Sequence, residues 1–418
     1  MWTRRGFLKV SGVVVAVGTT APIPAVLAQT GSRLAQGNDE TILVAIQMAG
    51  GNDGLNTVVP YEDDHYHRQR PTLALRESEV IKLQDAVGFH SALRPWMDLW
   101  EGGHLAVVQG VGYPNPSGAH ERSMEIWQTA RPEDPLGETG WLGRVLDRWF
   151  EDSVQDHARG TITRGVFTGR IPIPTTMLGH HRPAVRCQKP EQLFAFPAGG
   201  DILQKLGESL ARAGSRSAAD TSLLERVTAA QKQASRDLER LESVLATVRN
   251  EDFPDTYFGQ QLACVTALIR AELGIRIFCV DLGGTEPGSF DTHALQAANH
   301  GALLSELASG LAAFARALQR DRLFQRVLVY TYSEFGRTIR ENGRKGTDHG
   351  SAAPVFVMGG TIRGGLIGKH PPLDQVENGG VKHQVDFRSL YATFLNRWLG
   401  VPSQTVLGSQ FSEVPLFA

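Results

Sequence analysis

Five short runs of apolar, largely β-branched residues each meet a turn rich in glycines, carboxylates or histidines, and that repetition narrows the folds open to the chain. The runs are "TILVAIQMAGG" (41–51), "HLAVVQGVG" (104–112), "GIRIFCVDLGG" (274–284), "RVLVYTYSEFGR" (326–337) and "APVFVMGG" (353–360). They are continuously apolar rather than alternating, the pattern of strands buried on both faces. Between them, "SALRPWMDLWEGG", "HERSMEIWQTA" and "GALLSELASGLAAFARALQRD" carry apolar residues at helical spacing. Such alternation predicts an α/β fold, a mostly parallel sheet with helices on both faces. A hydrophobic content of 41% is enough for a sizeable core.

From about 200 to 250 the character changes. "TSLLERVTAAQKQASRDLERLESVLATV" is rich in Ala, Leu, Arg, Gln and Glu and predicts a helical insertion packed beside the sheet.

The start of the chain is equally informative. Arg4, Arg5 and Lys9 are the only charges before Gln29, and they precede "VSGVVVAVGTTAPIPAV" and the small-residue close Val26-Leu27-Ala28. A charged start, a short apolar middle and a small-residue site predict a cleaved secretory signal over 1–28, followed by a polar linker over 29–40. The apolar part is too short, and too interrupted by Gly and Pro, to span a ~30 Å hydrocarbon layer. "TRRGFLK" resembles the twin-arginine export signal, which implies a protein that crosses the membrane folded, with the export machinery as a partner and a periplasmic or secreted destination. With 1–28 removed no stable membrane span is expected, and residues 41–418 form one domain.

Composition excludes some classes. The formal charge is −2 and no dense Lys/Arg block is interleaved with aromatics, so nucleic acid is not an expected partner. Three cysteines, Cys187, Cys264 and Cys279, are too few for a disulfide scaffold, and the apolar settings of Cys264 and Cys279 predict buried thiols. The glycine pairs at 50–51, 283–284 and 359–360 lack the spacing of a dinucleotide site.

In open α/β sheets ligands bind beyond the carboxyl ends of the strands. Reading those positions collects Asn52 and Asp53 after the first strand, Ser117, His120 and Ser123 after the second, and Asp291 and His293 after the third. The fourth strand adds Ser333, Glu334 and Arg337, and Asp348 and His349 precede the fifth. Asp, Glu and His together suit a divalent ion such as zinc, manganese or calcium, and carboxylate-rich sites often hold two. Each fragment alone reads equally as a turn; Asp53 could simply form one after Gly50-Gly51, and Arg337 could bind an anion fork-wise or fix a turn by a salt bridge. His383 and Asp386 precede a helix and can cap it, while His180 and His181 fall in a surface loop.

The succession "GGNDGLNTVVPY", "YPNPSGAHERSMEIWQTA", "FDTH", "SEFGRT" and "GTDHG" resembles the bacterial domain-of-unknown-function family 1501, within the alkaline phosphatase and sulfatase-like superfamily. The resemblance covers roughly 41–400 and implies an alkaline phosphatase-like fold, one or two divalent ions, and hydrolysis of small anionic phosphate or sulfate esters. It implies Asp53, Asp291, His293, Glu334, Asp348 and His349 as metal ligands, and the chemistry of Arg337 itself makes it the candidate anion clamp. Relatives carry Ser-His where this chain has Ala119-His120, so the nucleophile passes to Ser117 at the helix start. The alternative expectation is a non-catalytic exported binding or structural protein that keeps the fold.

Overall fold

The computed structural model describes residues 41–84, 86–133, 137–155, 164–181, 184–187, 252–283 and 288–417. The expected export signal, the linker and the helical stretch at 200–250 lie outside these residues.

All five expected strands form. β1 (Ile42–Met48), β2 (Leu105–Gly112), β3 (Gly165–Thr168), β4 (Val185–Arg186), β5 (Ile277–Leu282), β6 (Val327–Tyr332), β7 (Ala353–Gly359), β8 (Gly365–Ile367) and β9 (Val385–Asp386) make a nine-stranded sheet. Its order is β8-β2-β7-β6-β1-β5-β3-β4, with β9 continuing along the end of β2. Every pairing is parallel except those of β7, which runs antiparallel to both β2 and β6. The sheet is therefore mixed and mostly parallel. The reversal of β7 matters for function, because it brings the residues before the strand, not those after it, to the edge where the parallel strands end.

Burial on both faces explains the unbroken apolar runs. In β1, Leu43 and Ala45 enter one core while Val44, Ile46 and Met48 enter the other. The first core packs under α1 (His120–Thr129), α2 (Trp141–Gln155) and α5 (Phe387–Thr393), and the second under α3 (Tyr257–Arg270) and α4 (Gln296–Arg320). α4 is long and apolar enough to cross a membrane, but 67% of its apolar window is buried inside the fold, which makes it a core helix. Cys187, Cys264 and Cys279 are buried and outside any disulfide.

Two small antiparallel sheets decorate the carboxyl edge. One orders the strands Thr347–His349, Arg337–Glu341, Gly380–Val381 and Val376–Glu377, and pairs Arg337 directly with His349. The other joins Val58–Val59, Gly88–His90 and Val80–Lys82.

Candidate metal centre

At the carboxyl edge, Asp291 Oδ1 is the point on which four side chains converge. Arg337 Nη2 lies 2.6 Å from it, His293 Nε2 3.0 Å, His349 Nε2 3.2 Å and His120 Nε2 3.5 Å. His293 Nε2 and His349 Nε2 are themselves 2.9 Å apart. The ligand-type atoms thus form two triangles sharing the Asp291–His349 edge, one completed by His293 and one by His120; in the latter all atoms lie within 4.8 Å of one another.

The outer nitrogens decide what the inner ones can do. His120 Nδ1 lies 3.0 Å from Glu334 Oε1, His293 Nδ1 3.0 Å from Asp348 Oδ1, and His349 Nδ1 2.7 Å from the Gly118 carbonyl. Ionised carboxylates and carbonyls only accept, so each Nδ1 donates its proton outward and each Nε2 faces inward, where it offers a lone pair whenever the ring is neutral. Metal-binding histidines are commonly oriented in this way.

The separations also suit an ion. Tetrahedral bonds of 2.0–2.1 Å place neighbouring ligand atoms about 3.3 Å apart, and the His293–Asp291–His349 triangle has sides of 2.9, 3.0 and 3.2 Å. The residues fit a divalent cation, and the side chains of Asp291, His120, His293 and His349 are partly open to solvent.

Glycine makes the convergence possible. Gly50 and Gly51 have φ of +115° and +87°, and a Cβ on Gly50 would fall 2.3 Å from the Asp291 amide nitrogen. A Cβ on Gly51 would meet the Phe335 ring at 2.5 Å. Phe335 in turn stacks on His349, with centroids 4.5 Å apart, and lies under His120 at 4.9 Å.

Around this centre the other expected residues take separate places. Glu334 is buried and faces away from the inner nitrogens; its Oε1 accepts from Gly50 N at 2.7 Å as well as from His120. Asp348 holds His293 and accepts from Asn342 Nδ2 at 3.1 Å, and that bond first, then His293, lowers its carboxyl below the usual range. Burial pushes the Asp291 carboxyl up, but the Arg337 hydrogen bond and charge outweigh it and hold it below its ordinary value. The His120 imidazole is raised, chiefly by its bond to Glu334.

Arg337 is buried and points inward. Its Nε donates to Gly51 O at 2.8 Å, Nη1 to Thr347 O at 3.1 Å, and Nη2 to Gly50 O, to Phe290 O and to Asp291. Its observed partners are the ligand-bearing backbone and Asp291, rather than an open cleft.

Asp53 stands apart from the cluster. It is fully buried in a two-pronged pair with Arg70, Nη1 to Oδ2 at 2.6 Å and Nη2 to Oδ1 at 2.9 Å, and Gln296 Nε2 also donates to its Oδ2. Burial alone would raise its carboxyl, yet Arg70 holds it below the usual range. Ser117 precedes Gly118, whose carbonyl holds His349, and its Oγ accepts from Ala119 N at 3.2 Å at the approach to α1. Ser123 is buried, bonded to Tyr113 OH at 2.8 Å and to the Glu334 carbonyl, and fixes α1 against the site. His383 Nδ1 is held by Glu377 at 2.7 Å, Asp386 caps α5 through Arg388 N, and His180 and His181 bind Asp147 through their backbone amides.

His120 and Phe335 are the components not assigned a site role from the sequence. The signal for His120 was its position at the first residue of the helix after β2, level with the other ligand-type side chains.

Over residues 189–412, more than half of the chain, the sequence matches a family model described as "Protein of unknown function (DUF1501)". No curated protein matches the sequence. Among solved structures, the chain is similar to the zinc complex of the C-terminal periplasmic domain of EcEptC from Escherichia coli, at 8% identity, covering 77% of this chain and 73% of that one, with a TM-score of 0.38. A putative sulfatase from Bacteroides thetaiotaomicron is similar at 11% identity, with 90% and 76% covered and a TM-score of 0.37. A protein in the alkaline phosphatase superfamily from Vibrio parahaemolyticus is similar at 8% identity, with 93% and 79% covered and a TM-score of 0.35.

Proposed function

We propose that this chain, which belongs to the DUF1501 family of proteins of unknown function, is an exported metal-dependent hydrolase acting on phosphate or sulfate esters. One observation carries the metal reading. Three imidazoles donate outward through Nδ1 and turn their Nε2 atoms onto the ionised carboxylate of Asp291. A divalent cation between them would take the Nε2 lone pairs and offset the carboxylate charge together.

His120, Asp291, His293 and His349 would hold the ion or ions, with Glu334, Asp348 and the Gly118 carbonyl orienting the rings. When bound, a divalent ion supplies Lewis acidity and lowers the pKa of water. Arg337 keeps Asp291 ionised and aimed inward. Ser117, which precedes the Gly118 carbonyl that holds His349, is the hydroxyl we assign as nucleophile. The ester class follows from the sequence resemblance to phosphatases and sulfatases, and export from the twin-arginine motif at Thr3–Lys9.

A second reading, a non-catalytic exported protein stapled by the same ion, draws on Arg337. Its guanidinium is engaged with Asp291 and the ligand-bearing backbone rather than presented to an ester.

Elemental analysis of exported protein dialysed without chelator tests the common premise. One to two equivalents of a divalent metal, lost in Asp291→Ala, supports the centre; under about a tenth of an equivalent, unchanged after adding metal, sinks it. Turnover of aryl phosphates or sulfates by the loaded wild type, abolished by Asp291→Ala, selects the hydrolase. A lowered melting temperature with no turnover in any form selects the staple.

A further inference from the structure

Two of the inner ligands sit on separate segments, His293 before α4 and His349 in the small sheet, and each follows a buried threonine closely. Thr292 immediately precedes His293, and Thr347 lies two residues before His349. Both hydroxyls donate to one atom, Gln296 Oε1, Thr292 at 3.0 Å and Thr347 at 2.5 Å. The backbone repeats the tie, since Thr347 N donates to Thr292 O at 3.2 Å.

Gln296 is fully buried at the first turn of α4. Its amide could be placed either way round by packing alone. Asp53 settles it: Gln296 Nε2 donates to Asp53 Oδ2, so Oε1 must face the threonines. Asp53 is itself clamped by Arg70, which also donates to the carbonyls of Ile339 and Thr338 in the strand that carries Arg337.

We infer that Gln296, oriented by the Asp53–Arg70 pair, is a positioning residue that registers His293 against His349 for metal binding. The inference rests on the metal reading above. It gives Asp53 a part in the centre as an anchor two hydrogen bonds behind the threonines. Outer groups that orient metal ligands typically control affinity by 10–100-fold.

Cobalt(II) and zinc(II), added to the purified full chain, are the probes. Gln296→Met keeps length and volume and removes both threonine bonds and the one to Asp53; Thr347→Val removes one and changes shape least. We expect Gln296→Met to weaken Co²⁺ binding about 10–100-fold and Thr347→Val about 10-fold, in competition with a chromophoric chelator. Both should alter the Co²⁺ absorption bands, which report ligand geometry and are insensitive to a general loss of stability. Tyr66→Phe is the control. It removes a hydroxyl that donates to Asn56 Oδ1 at 2.8 Å in the same buried network without touching Gln296, so it should lower the melting temperature and leave affinity and spectrum unchanged. Affinity within twofold of wild type in Gln296→Met, or a loss matched by Tyr66→Phe, would overturn the positioning role alone. Wild-type protein that binds neither ion overturns the metal centre as well, and that result is read first.

Discussion

His293 Nε2 lies 2.9 Å from His349 Nε2, and both face Asp291 Oδ1, at 3.0 and 3.2 Å. Their Nδ1 atoms are committed to Asp348 Oδ1 and to the Gly118 carbonyl, which only accept. Two imidazole nitrogens at hydrogen-bond distance beside an ionised carboxylate form a ligand set that a divalent cation fits. Zinc should therefore stabilise the fold by about 2.7 kcal/mol when supplied at 100 times its dissociation constant. Thermal unfolding with and without added zinc measures this. The increment should vanish in His349→Ala, and an undiminished increment there would place the ion elsewhere.

The outer partners should matter unequally. Glu334 is buried and holds both Gly50 N and His120 Nδ1, whereas the Asp348 side chain is 58% exposed. Glu334→Gln should weaken zinc binding by the 10–100-fold typical of orienting carboxylates, and Asp348→Asn by the lower end of that range. Competition titration of the two variants at one fixed pH compares them directly. Equal effects would mean that solvent does not compensate for the Asp348 carboxylate.

The strands were legible because burial on both faces leaves continuous apolar runs, and the site's edge was legible because ligand-type residues gathered at their ends. What the sequence could not convey was where each side chain points. Asp53 follows β1 as Asp291 follows β5, yet Arg70, 17 residues on, and Gln296, 243 residues on, draw it into the interior. His120 needed the opposite correction. It reads as the first residue of a helix, and only the packing of α1 against Glu334 turns its Nε2 toward Asp291. The antiparallel run of β7, which carries His349 to the common edge, is likewise a property of pairing rather than of composition.

Acid should unfold the protein in two separable steps. His300 is fully buried, with Nε2 3.0 Å from Asn52 Oδ1, and burial depresses its imidazole to about 4. Its unfolded value is about 6.5, so below that pH the unfolded chain binds a proton that the folded chain refuses, and stability falls with pH down to about 4. The cost across that window is about 3 kcal/mol, at 1.36 kcal/mol per unit. Urea unfolding of metal-free protein between pH 7 and pH 4 should show this slope, flattened in His300→Gln. An unchanged slope in that variant would assign the acid sensitivity to other groups.

Asp53 governs the second step and offers the sharpest separation of anchor from ligand. Its folded carboxyl is held below the ordinary range, so its contribution is present above about pH 3.9, the unfolded value, and is lost as pH falls through the folded one. At pH 7, Asp53→Asn leaves the Arg70 guanidinium buried without its counter-charge, which costs about 3–5 kcal/mol for pairs of this kind. The unfolding free energy should fall by that amount, and the urea midpoint by that amount divided by m, with m unchanged. Replacing both partners by apolar residues, Asp53→Leu with Arg70→Met, should recover much of the loss, because no charge is then stranded. In the double variant the zinc affinity should stay weakened, since Gln296 has lost the acceptor that fixes its amide. Recovery of stability and affinity together would show that Asp53 acts on the centre only through global stability. Conversely, Asp53→Asn that unfolds like wild type but binds no zinc would return Asp53 to the ligand role its sequence position suggested.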